Sequence, residues 1–76
     1  GRYRAPALEK GLDIIELLAD SPQPLSLAAI GRELGRSHGE LFRMVQVLAA
    51  RGYIGLAADG QGYQLSQRLL ALALRN

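Results

Sequence analysis

The sequence predicts a mainly α-helical domain with one small β-hairpin, a winged helix-turn-helix followed by a further helix. Three observations predict it. Apolar residues recur at helical spacing in three successive segments. The second and third segments are separated by a short turn containing Gly35. Asp59-Gly60, a strong hairpin-turn signal, stands between two strand-like runs.

The first helix is predicted over Ala7–Ala19, entered through Pro6, which suits the first helical position. Leu8, Leu12, Ile15 and Leu18 form its expected inner stripe, widened by Ile14 and Leu17; Glu9, Asp13, Glu16 and Asp20 lie largely off it. Ser21-Pro22-Gln23-Pro24 breaks the chain. Ser26 is the expected N-cap of a short helix over Leu27–Leu34, whose inner face is Leu27, Ile30 and Leu34. Gly35 suits its C-terminal reversal.

The third helix has the clearest start signal. Ser37-His38-Gly39-Glu40 matches the capping box S-x-x-E, in which serine and glutamate satisfy each other's orphan amides. Leu41, Met44, Val45 and Leu48 form its inner face, and Gly52 closes it after Arg51. Tyr53–Leu56 and Tyr63–Leu65 read as the two strands of the hairpin. Ser66 is the expected cap of a last helix through Leu74, apolar all round and so in need of more than one partner.

The composition narrows the function classes. Seventy-six residues, 49% hydrophobic and 21% charged, make one globular domain. There is no cysteine, which excludes disulfides and thiolate zinc sites and fits a cytoplasmic location. No apolar run is long enough for a membrane span, and no signal-peptide pattern opens the chain. One histidine, no paired carboxylates placed for catalysis, and a Gly60-Gln61-Gly62 run that lacks the third glycine of a dinucleotide loop speak against an enzyme and imply no cofactor or metal. The net charge of +2 is divided unevenly, −1 over residues 1–31 and +3 over residues 32–76. Every basic residue except Lys10 is arginine, suited to phosphate and guanine, although an ordinary solvated surface accounts for the charge equally well.

In a helix-turn-helix the second helix enters the major groove of double-stranded DNA and the first crosses the backbone. The segment 37–50 is then the recognition helix, with His38, Gly39, Phe42, Arg43 and Gln46 on its outer face. Arg43 is the leading base reader, able to grip guanine O6 and N7, against the alternative of a surface or phosphate contact. Gln46 suits adenine or plain solvation. Phe42 packs on a thymine methyl or a sugar, or folds back onto the wing or core. Gly39 allows close approach to DNA, or is simply tolerated in the first turn. His38 is read as a phosphate contact, and Glu40 as the capping partner. Ser26 and Ser37 present helix N-terminal amides to phosphate, with Arg36 and Arg32 flanking the groove. The hairpin tip, with Asp59 and Gln61 but no lysine or arginine, contributes little. Arg2 and Arg4, in an N-terminal arm over residues 1–6, suit a minor groove, or a disordered tail away from DNA. The rival reading is a winged helix that docks a protein partner instead of DNA.

The blocks APALEKGLDIIELLAD, GRSHGELFRMVQVLAARGYI and GYQLSQRLLALA resemble, in this order, the DNA-binding domain of isocitrate-lyase-regulator-type (IclR) transcription factors. The resemblance spans Ala5 to about Ala73. It implies a bacterial homodimeric regulator of an approximately palindromic operator, with Arg43 in DNA contact. It further implies a DNA-binding domain over residues 7–66 and, over 67–76, the start of a linker helix leading to a small-molecule effector domain absent from this sequence. The chain departs from the family in having His38, Gly39 and Glu40 where serine or threonine is common early in the recognition helix, so the base preference of other members does not carry over.

Overall fold

The computed structural model describes residues 3–75. Its elements in chain order are α1 (Pro6–Asp20), α2 (Leu27–Leu34), α3 (His38–Ala50), β1 (Ile54–Leu56), β2 (Tyr63–Leu65) and α4 (Arg68–Ala73). β1 and β2 pair antiparallel, with Ile54 opposite Leu65 and Leu56 opposite Tyr63. α1, α2, α3 and the hairpin enclose one core of Ile14, Leu18, Ile30, Leu41, Val45 and Ile54. This is the winged helix-turn-helix that the spacing predicts.

Local chemistry sets the ends of the elements. Pro6 occupies the first turn of α1, and the Ala5 N–H donates to the Glu9 carboxylate at 3.1 Å. Ser26 caps α2 by accepting from the Ala29 N–H at 3.1 Å. At the hairpin tip Gly60 has φ +72°, and the Asp59 carboxylate accepts from the Gln61 N–H at 2.9 Å. Leu25, in the loop before α2, adds an antiparallel bridge to Tyr63, with backbone bonds of 2.8 and 3.0 Å. The hairpin is thereby tied to the entry of the helix-turn-helix.

Two expectations need correction. The inner stripe of α1 is rotated from the predicted one: Ile14 and Leu18 are buried, whereas Leu8 is 62% and Leu12 46% exposed. The cause is that α1 packs against both α3 and β2. Its Leu8–Leu12–Ile15 edge is left to line an open apolar groove with Met44, Val47 and Leu48. Ser66 is not the N-cap of α4, which starts one residue later after Gln67. Its hydroxyl donates to the Gly52 carbonyl and accepts from the Arg68 N–H, tying α4 to the end of α3. The Arg68 guanidinium lies 5.4 Å from the centre of the Tyr53 ring and holds that phenol below its ordinary range. No residue of α4 is buried.

Leu41 is fully buried where α3 meets the core. Leu41→Ala is expected to cost about 2–5 kcal/mol, as deletion of a buried aliphatic side chain does. Urea denaturation measures it, and a loss below about 1 kcal/mol would contradict this packing.

Candidate nucleic-acid interface

The site is built on the turn between α2 and α3. Gly35 ends α2 in the left-handed region, φ +66° and ψ +37°, where a side chain is strained. Its N–H and that of Arg36 both donate to the Gly31 carbonyl. The chain then passes so close to α2 that a Cβ on Gly31 would stand 2.9 Å from the Arg36 carbonyl oxygen. Gly31 was not singled out by sequence reasoning. Its signal was a glycine inside a helical pattern, where that residue costs about 1 kcal/mol against alanine unless something approaches it.

α3 starts at the capping box that the sequence predicts. The Ser37 hydroxyl accepts from the Glu40 N–H at 3.3 Å, and the Glu40 carboxylate accepts from the Ser37 N–H at 2.9 Å. The same carboxylate meets Arg36 at 3.4 Å and Lys10 of α1 at 3.9 Å. The Ser37 amide, with Lys10 and Arg36 adding to it, holds Glu40 below the ordinary glutamate range. Lys10 is a second residue that sequence reasoning missed, because nothing in the pattern pairs α1 with the start of α3.

The structure brings His38, Gly39, Phe42, Arg43 and Gln46 together, all exposed, on the face of α3 opposite Leu41 and Val45. Phe42 does not fold back onto wing or core. It stacks on His38 one turn earlier, ring centres 5.4 Å apart and planes 16° from parallel. A Cβ on Gly39 would meet nothing within 4 Å. Arg43 is in no ion pair among the described residues. Arg36, by contrast, has its guanidinium on Glu40. Arg32, Arg36 and His38 line one hollow of about 320 Å³ beside Leu27, Gly31 and Gly35. Ser26 and Ser37 both sit at helix N-termini, each with its hydroxyl engaged by its own helix. In the N-terminal segment Arg4 forms a two-point contact with Glu9, at 2.8 and 3.1 Å. Arg2 lies outside the described residues.

Among the described residues there is no group of three or more histidine, cysteine, aspartate or glutamate side chains placed to hold a metal. No helix among them is long and apolar enough to cross a membrane.

A capped helix set off by a glycine turn from a shorter one, with a hairpin after it, defines the winged helix-turn-helix class. Residues 7–55 match the IclR helix-turn-helix domain, and the chain belongs to the IclR family of transcriptional regulators. Solved structures agree. An IclR transcriptional regulator of Alicyclobacillus acidocaldarius is similar with TM-score 0.87 and 20% identity over 96% of this chain and 30% of that one. HmgR of Pseudomonas aeruginosa matches with TM-score 0.79 and 27% identity, over 93% of this chain and 29% of that one. The repressor BlcR of Agrobacterium tumefaciens matches with TM-score 0.79 and 25% identity, over 93% and 28% respectively. The chain thus spans less than a third of the length of each of these structures. No curated protein matches the chain.

Gly31 and Gly39 separate a packing constraint from an open surface. Gly31→Ala is expected to destabilise by about 1 kcal/mol or more, because backbone must shift to admit the methyl. Gly39→Ala is expected to be neutral or to stabilise by up to about 1 kcal/mol. Thermal denaturation of the two variants checks this; equal effects would contradict it. Glu40 also makes stability depend on pH. Its folded-state pKa is depressed, so its contribution is full above the ordinary glutamate pKa and is lost as pH falls through the folded value. Between about pH 6 and about pH 3 the melting temperature should fall further for the wild type than for Glu40→Gln, which keeps the cap but not the charge. Parallel curves would remove Glu40 from the account.

Proposed function

We propose that this chain binds double-stranded DNA in a sequence-specific manner, with the segment 37–50 in the major groove. The observation that carries the reading is the outer face of α3. His38, Gly39, Phe42, Arg43 and Gln46 are exposed together on a helix whose opposite face is buried. Family membership supports the same reading, since the match covers this helix. Arg43, in no ion pair among the described residues and in the middle of that face, is the base reader, suited to guanine O6 and N7. Gln46 lies one turn further along and suits adenine. The hollow lined by Arg32, Arg36 and His38, with the N-termini of α2 and α3 at Ser26 and Ser37, suits phosphates on either side of the groove. Arg36 reaches a phosphate by exchanging Glu40 for it.

The finer proposals rest on the family. The chain acts as a homodimer on an approximately palindromic operator, in the cytoplasm, by binding and not by catalysis. α4 begins a linker helix towards an effector domain, for which the exposed Leu70 and Leu74 are the supporting feature. Of the proposed arm the described part is residues 3–5, since Pro6 already belongs to α1.

Salt dependence tests the reading. Affinity should fall with a log–log slope of about −0.9 per phosphate contact, and a flat response would favour a winged helix that docks a protein partner. Arg43→Ala should cost about 1–3 kcal/mol and relax preference at one base position. Uniform weakening across all sequences would make Arg43 a phosphate contact instead.

A further inference from the structure

Phe42 has no structural employment that explains it. It is 45% exposed and belongs neither to the core nor to the apolar residues packed against it. Its neighbour is the His38 ring, stacked at 5.4 Å. That stack restricts the rotamers of Phe42 before any partner arrives, so little ordering remains to oppose binding. Phe42 stands beside Arg43 and one turn before Gln46, and its edge of the face is flanked by Gly39, where no Cβ intrudes. In the major groove the apolar feature of a base edge is the C5-methyl group of thymine; the other features are hydrogen-bond donors and acceptors.

We propose that Phe42, positioned by His38, reads the 5-methyl group of a thymine adjacent to the base pair contacted by Arg43. The proposal rests on the DNA-binding reading above and deepens it: the operator carries a thymine at one fixed place in each half-site, recognised by its methyl group and not by its hydrogen-bonding edge. Phe42 is the contact, and His38 is a positioning residue.

The test uses a DNA site recovered with the wild-type chain from a random pool. Each thymine is replaced in turn by deoxyuridine, which removes only the methyl. At one position per half-site the replacement should weaken wild-type binding about fourfold, the equivalent of about 0.8 kcal/mol for one buried methyl. Phe42→Ala should bind less tightly and lose the sensitivity at that position while keeping its response elsewhere. His38→Ala should reduce the sensitivity without abolishing it. Both variants alter exposed side chains, and unchanged melting temperatures confirm that they fold. If wild-type binding persists and no thymine is sensitive, or if Phe42→Ala keeps the full sensitivity, the methyl reading is overturned while DNA binding stands. If the wild type selects no DNA from the pool, both readings fall.

Discussion

The tight passage between α2 and α3 is the constraint on which the rest of the structure depends. The Gly31 carbonyl takes the N–H groups of both Gly35 and Arg36, and the Arg36 carbonyl lies against the Gly31 Cα where any side chain would stand. With Gly35 in the left-handed region, the chain reverses within a few residues. The orientation of α3 against α2 is then set by backbone geometry, and Ile30, Leu41 and Val45 close over it with Ile14 from α1. Burying Leu41 and Val45 turns Phe42, Arg43 and Gln46 outward as a matter of helical period.

Electrostatics sorts the charged residues around this frame. Glu40 collects the Ser37 amide, Arg36 and Lys10 at the start of α3. These exposed pairs add little stability singly. Their effect is positional: the one carboxylate of α3 is engaged by Arg36 and by Lys10 of α1, and Arg43 is in no ion pair among the described residues. A helix that carried an unpaired carboxylate on its outer face would repel phosphate. Here the acidic residue of α3 is held at the capping box instead.

Much of this was legible in the sequence where the signal is local. The caps at Ser26 and Ser37, the reversal at Gly35 and the turn at Asp59-Gly60 each depend on residues within a few positions of one another, and all appear as expected. The inner face of α3 was legible from the spacing of Leu41, Met44, Val45 and Leu48, of which Leu41 and Val45 are buried. In α1 the packing against both α3 and β2 decides that Ile14 is buried and Leu8 is not. The Leu25 bridge to Tyr63 was hidden because one extended residue between prolines and a cap leaves no period to read. For the candidate site, the outer-face residues of α3 could be named from spacing. The pairing of Lys10 with Glu40 could not, since it joins segments distant in the chain.

The central claim, that α3 enters the major groove, is tested most directly by methylation interference on a bound DNA fragment. Dimethyl sulfate marks guanine N7 in the major groove and adenine N3 in the minor groove, so one experiment reports both. The account predicts that methylation of guanine N7 within each half-site excludes the fragment from the complex, and that adenine N3 methylation at the same positions does not. Interference confined to adenine N3 would contradict it, because it would put the contact in the groove that α3 is not shaped to enter.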